Sequence, residues 1–337
     1  MDYINYIKQS PMSMSGMGGP VGALNFHSGS SVVPWFGSRG LFMGGRFAGN
    51  ASQYITIAST GNATNFGNMS FSPTRYNASG GGGGGRGIYA GGQDYGGSYT
   101  SRDTAQYYTI STPGSASAYG DLTAAGRQQT GMSNGTFLLI AGGGGYETTI
   151  EYYTIATTAD AQSWGSLCCG PSGGRYSAAG CADATRGIFA GGSGPDGQSG
   201  PFTNRIQYLS MESTGNASDF GDLTVARGHF AAVSDLTRGV FGGGYSPANE
   251  PAHGGYDKYT LDYITIQSTG NATDFGDLTE KTQSPGSVQS DVRGVWAGGF
   301  QSNADTMAYI TIQSTGNATD FGNMNISTSG PVGASGD

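Results

Sequence analysis

Apolar positions along this chain come in short bursts separated by glycine and small polar residues, and the bursts recur. In residues 262–278, DYITIQSTGNATDFGDL, the run Tyr263–Ile264–Thr265–Ile266 puts Tyr263 and Thr265 on one side of a pleat and Ile264 and Ile266 on the other. A small polar turn follows, then Phe275-Gly276 opens a second, shorter strand. Residues 309–324 repeat this wording almost letter for letter.

Three landmarks recur in the same order. The first is Arg-Gly, two large apolar residues, a small one and Gly-Gly, beginning at Arg39, Arg86, Arg186, Arg238 and Arg293; FLLIAGG at Phe137 keeps the pattern without Arg-Gly. The second is Tyr-Ile-Thr-Ile or a relative, at Tyr54, Tyr107, Tyr152, Tyr208, Tyr263 and Tyr309, and the third is an aromatic followed by Gly, at Phe66, Tyr119, Trp164, Phe220, Phe275 and Phe321. The doublets start at Gly44, Gly91, Gly142, Gly191, Gly243 and Gly298, giving steps of 47, 51, 49, 52 and 55 residues. A period near 50 built of short strands and glycine turns predicts one four-stranded propeller blade per repeat. In the fifth unit the strands are read in ARGHFAAVSD, RGVFGGG, LDYITIQS and ATDFGDL, the last one short. The second, uncharged and ending in Gly-Gly, is expected beside the crowded central axis, and the fourth-strand aromatic is expected to wedge between blades.

The fold expected is therefore all-β, a six-bladed β-propeller of four-stranded antiparallel blades over residues 39–337, with an extended arm over 1–38. SGPVGASGD at 329–337 resembles SPGSVQSD at 284–291, which immediately precedes an Arg-Gly. The C-terminal segment is thus expected to supply the first strand of the first blade, closing the ring and removing an open edge. A competing assignment gives that strand to Asn25-Phe26-His27. The arm has no period of its own, but Tyr3, Ile4, Tyr6, Ile7, Trp35 and Phe36 are poor residues to leave in water, so it is expected to dock on a partner.

Composition narrows the function. Sixty-three Gly and 11% charged residues fit many tight turns. A net charge of −8 without any Lys/Arg run argues against nucleic acid. No apolar run is long enough for a membrane helix and no export signal opens the chain, so synthesis in a cytoplasm is expected. Cys168, Cys169 and Cys181 read as thiols within one repeat, with no disulfide framework.

Candidate chemistry is sparse. His27, His229 and His253 are scattered and the five Glu occupy different repeat positions, so no carboxylate pair of a glycosidase stands out. A sialidase-like reading fails because the repeated Arg residues fall at one position in nearly every blade, which marks scaffold. Those arginines are expected to hydrogen-bond carbonyls of adjacent blades. Asp219/Asp222 and Asp274/Asp277 suit either a calcium turn or an Asp capping its own turn. The Asn-Ala-Thr/Ser motifs at Asn62, Asn216, Asn271 and Asn317 match a glycosylation acceptor but read more simply as turns before strand four, and the glycine run 80–85 lacks the Lys-Ser/Thr of a phosphate loop. No catalytic residue, cofactor or metal is assigned. The loops after each Gly-Gly, about eight to about seventeen residues long and rich in Tyr, Ser, Gly and Asn, lie on one face of a propeller and suit recognition as well as solvation.

The order of Gly-Gly, Tyr and aromatic-Gly, six times over residues 39–324, resembles kelch-type β-propellers. The wording RG(I/V)(F/W)(A/G)GG with DYITIQSTGNATDFGDL, after an opening like DYINYIKQSP, is similar to kelch-like virion proteins of tailed phages infecting marine bacteria, including cyanobacteria. The lost Arg-Gly at Phe137 and the long spacing from Tyr54 to Phe66 depart from the cellular kelch pattern. The resemblance implies a non-enzymatic structural or attachment protein of the virion (tail, fibre or capsid decoration), made in the host cytoplasm and released by lysis. Its implied partners are other virion proteins, in an oligomeric or multi-copy arrangement, and a host-surface glycan. Alternatives are a free carbohydrate-binding or carbohydrate-cleaving propeller and an intracellular adaptor.

Overall fold

The computed structural model describes residues 35–71, 74–96, 99–168, 174–194, 202–250, 255–300 and 304–337. The chain divides into two units, Met1–Ser31 and Val32–Asp337. The larger is a six-bladed β-propeller, and among the described residues it has no helix. Each blade is an antiparallel sheet whose strands run outward in order from the axis. In the fifth they are Ala231–Ser234, Arg238–Gly242, Gly255–Thr265 and Thr273–Thr282.

Closure follows the C-terminal assignment. Val332–Ala334 is the innermost strand of the first blade, with Leu41 opposite Ala334 and Met43 opposite Val332. The Asp337 carboxylate then accepts from the Ser38 and Arg39 backbone N–H groups at 2.6 and 3.1 Å. The competing strand at Asn25-Phe26-His27 lies outside the described residues.

The axis is lined by the first strands, which corrects the expectation for the second ones. Successive first strands touch around the ring through their smallest residues: a Cβ added at Gly131 would lie 2.0 Å from the Gly80 carbonyl oxygen, and one at Gly333 would lie 1.7 Å from that of Ser287. The glycine run read only as a failed phosphate loop is such a strand, Ser79–Gly83. Second strands sit one layer out, buried after their first residue. Their Gly-Gly ends are turns, not axis contacts; the first glycine has φ between 59° and 75° in all six blades.

The aromatic-Gly landmark is a β-bulge. In the fifth blade Leu261 pairs with Gly276 and Asp262 with Asp274, leaving Phe275 opposite no residue. The bulge swings Phe275 into a cluster with Ile310 and Ile312 of the sixth blade. Phe220 meets Ile264 and Ile266 likewise, and Phe321 meets Ile55 and Ile57 across the closure. The following glycine lets the next blade approach, since a Cβ on Gly276 would lie 2.5 Å from the Gly316 oxygen. Fourth strands are not uniformly short: in the second and fifth blades they run ten residues, beside third strands of eight and eleven.

The Gly-Asn-Ala turns clip four of the blades to their predecessors. Asn317 Oδ1 accepts from the Asp277 backbone N–H at 3.1 Å, flanked by Gly316 N–H to the Phe275 oxygen and Ala318 N–H to the Asp277 oxygen. Asn62, Asn216 and Asn271 repeat the contact at 3.0 Å each. Asn317→Ala should therefore cost about 1 kcal/mol in chemical denaturation; a loss indistinguishable from zero would mean the clip is ornamental.

Candidate functional site

Strand direction gives the propeller two unlike faces. The turns between first and second strands, including Leu236 and Val292, lie on one. The Gly-Gly turns, the loops that follow them and the connections between blades lie on the other, the loop face.

The arginines at the Arg-Gly landmark hold the first of these faces together. Arg39, Arg86, Arg186, Arg238 and Arg293 each lay the guanidinium over the third-strand tyrosine of their own blade, 4.4–4.7 Å from the ring centre. Each also donates to the next blade: Arg39 to the Ile110 oxygen at 2.8 Å, Arg86 to Ile155 at 3.0 Å, Arg186 to Ile266 at 3.0 Å, Arg238 to Ile312 at 3.4 Å and Arg293 to Ala58 at 2.7 Å. In the third blade Phe137 replaces the guanidinium, packing edge-on against Tyr152 and Trp164. These groups are spent on structure.

A second set of buried polar groups was legible but unread. In five of the six blades the residue before the third-strand tyrosine is polar, faces the bulge and grips the incoming connection: Gln53 holds both backbone groups of Ile326 at 2.8 Å, and Gln207 both of Cys168 at 2.9 Å. Glu151 accepts from the Thr123 N–H at 2.7 Å, and Asp262 accepts from Thr224 and from Arg227. Arg227 and Asp262 form an ion pair at 2.8 Å with both side chains fully buried. Burial draws the Arg227 guanidinium below its usual range, opposed by the Asp262 charge. The signal was the polar letter before Tyr in SQYIT, IEYYT, IQYLS and LDYIT.

The channel along the axis holds about 170 Å³ and is lined mostly by Gly, Ala and Ser, with Trp35 among its wall residues. Trp35, 2% exposed, stacks edge-on with Phe36 at 5.0 Å; both lie in the propeller unit. Tyr3, Ile4, Tyr6 and Ile7 lie outside the described residues. At the loop-face mouth, one residue per blade takes a left-handed conformation: Asn77, Gln128, Ser177, His229, Ser284 and Gly330, with φ between 53° and 66°. From Gln128 onward each donates its N–H to the carbonyl of the preceding one, from Gln128 to Asn77 at 2.7 Å through to Gly330 to Ser284 at 2.8 Å. This hydrogen-bonded annulus pins the start of every first strand.

His229 belongs to that annulus, beside Phe202 and 3.4 Å from the Ser284 hydroxyl. Burial pushes its imidazole down from 6.5 to about 4. The unfolded chain thus takes up a proton that the folded chain refuses, so this contribution is complete above the unfolded value and is lost as pH falls from about 6.5 toward 4, by about 3 kcal/mol. His229→Asn keeps a residue suited to positive φ, and should flatten the stability-versus-pH curve over that window relative to the parent; parallel curves would contradict the assignment.

Around the annulus stand the exposed aromatics. Phe47, Tyr95, Tyr99, Tyr146, Tyr256 and Phe300 are 36–54% exposed and come from the Gly-Gly loops of five different blades. Tyr76 and Tyr176 back Tyr95 and Tyr146 from beneath, with ring centres 5.6 and 5.5 Å apart. The sequence marks these loops by composition but not by their aromatics, because the loop lengths differ and the rings fall at different distances from the Gly-Gly turn.

Among the described residues no group of three or more His, Cys, Asp or Glu is placed to hold a metal ion, and no helix is long and apolar enough to cross a membrane. The cysteine expectation needs correcting. Cys168 is disulfide-bonded, whereas Cys181 is a buried thiol. Comparison with protein-family models and with curated proteins returns no match.

Proposed function

We propose that this chain is a non-enzymatic structural protein of a tailed-phage virion, attached through its N-terminal arm and presenting the loop face to a host-surface glycan. The observation that carries the recognition half is the set of exposed aromatic rings on the loop face. Aromatic faces stack on the C–H faces of sugars and supply contact area at low entropic cost. A solvated scaffold gains nothing from leaving six such rings in water on one side. The virion half rests on the resemblance of the repeat wording and of the opening DYINYIKQSP.

Two measurements test the halves separately. The intact chain should co-sediment with phage particles or self-assemble, while a chain starting at Val33 folds but remains free; equal behaviour of the two would remove the arm's anchoring role. In a screen of immobilised bacterial polysaccharides the parent should be retained, and a Tyr146→Ser/Tyr256→Ser/Phe300→Ser variant with unchanged melting should not. Retention of both would overturn the recognition face. If glycan is bound but no particle association is found, the reading becomes that of a free carbohydrate-binding propeller.

A further inference from the structure

The loop face carries a cation that has no ion pair among the described residues. Arg46, directly after the Gly44-Gly45 turn, has its guanidinium carbon 5.6 Å from the ring centre of Phe47, 5.7 Å from Tyr95 and 5.3 Å from Phe300. The three rings come from the first, second and sixth blades and are 51%, 36% and 45% exposed. Arg46 and two of the rings are tethered through the backbone: Arg46 N–H donates to the Ser329 oxygen at 2.8 Å, Tyr95 to Thr74 at 2.8 Å and Phe300 to Gln283 at 2.7 Å. The arrangement is thus built before any ligand arrives.

Most other described arginines of the fold are committed. Arg102 is paired with Asp94, Arg227 with Asp262, and the Arg-Gly arginines bond the next blade's carbonyls. Among the described residues Arg46 has no ion pair and no side-chain hydrogen bond; its Nε is buried and unpartnered. In a chain of net charge −8, a cation left unneutralised among exposed rings is an exception. A neutral sugar would use the rings and waste the guanidinium, and a bare anion would do the reverse. A sugar ring bearing a carboxylate uses both, with its C–H face on an aromatic ring and its carboxylate on the planar fork.

We propose that Arg46, Phe47, Tyr95 and Phe300 form a subsite for an acidic sugar of the uronic-acid type within a polysaccharide. The inference rests on the loop-face reading and adds the ligand's charge and the residue that recognises it.

The test titrates the full chain calorimetrically with tetragalacturonate, with its methyl-esterified counterpart and with inorganic phosphate, for the parent, Arg46→Gln and Arg46→Lys. The parent should bind tetragalacturonate about tenfold more tightly than the ester, a preference lost in Arg46→Gln and partly kept in Arg46→Lys. Binding of the ester should change less than about twofold, and salt should weaken only the acidic probe. Melting temperatures within about 2 °C of the parent would show that the guanidinium is not needed for folding; should Arg46→Gln unfold, Arg46→Lys carries the comparison. If the parent binds both saccharides and Arg46→Gln keeps the preference for acid, the subsite is wrong while the recognition face survives. If phosphate competes as well as tetragalacturonate, the sugar assignment is wrong. Absence of binding to either saccharide overturns the subsite, and the recognition face is then judged by the aromatic-triple variant alone.

Discussion

A chain ending at Gly330 is expected to lose its cooperative fold. The missing residues include Val332–Ala334, the inner strand that joins the two ends of the ring. Without it the edge of Arg39–Met43 is unpaired, and Leu41, Phe42 and Met43, each at most 1% exposed, lose one wall of their packing. At about 1.5–3 kcal/mol per large apolar side chain, partial exposure of three is comparable with the whole net stability of a domain. Val332 also packs against Gly80, and the Gly336 oxygen accepts from the Gly85 N–H, so the second blade loses its inner neighbour too. The shortened chain should show a broad, low-amplitude melt and bind a hydrophobic dye, and a synthetic peptide of residues 329–337 added in excess should restore a single transition. A shortened chain that melts like the parent would mean that closure does not hold the ring.

Asp262→Ala should be the most damaging single substitution in the interior. It leaves the Arg227 guanidinium fully buried with its charge uncompensated, and it strips the Thr224 hydroxyl of its acceptor. Removing one partner of such a pair costs about 3–5 kcal/mol, mostly through the charge left behind. Arg227 would keep its bonds to the Thr260 and Phe241 carbonyls at 3.1 and 3.2 Å, which do not neutralise it. An Arg227→Met/Asp262→Leu double variant removes both charges and should recover more than half of the loss, although it sacrifices the grip on Thr224. Urea denaturation of the two single variants and the double measures the coupling. Additive losses would show that the charges do not depend on each other.

Repetition explains what the sequence made legible. A feature needed at every blade interface is written several times, so the period, the aromatic wedge and the closing strand could all be found by aligning the chain with itself. The order of layers about the axis was misread because glycine serves two purposes here. In Gly243-Gly244 it permits a left-handed turn, whereas in Gly131 or Gly333 it permits backbones to touch, and a single letter does not distinguish them. The buried grips at Gln53, Glu151, Gln207 and Asp262 escaped notice because they vary in identity while keeping one position. The loop-face aromatics vary in spacing as well, since each loop has its own length, and Arg46 occurs once. Unique residues leave no pattern to compare, and it is unique residues that give one face of a near-symmetric ring a particular ligand.

Hydroxyl-radical footprinting of the full chain with and without a bound polysaccharide, chosen from the retention screen, tests the recognition face most directly. Oxidation should fall at Phe47, Tyr95, Tyr146 and Phe300, and remain unchanged at Leu236 and Val292, which are 50% and 51% exposed on the opposite face. Protection at Leu236 and Val292, with the loop-face rings still oxidised at their unbound rate, would contradict the account.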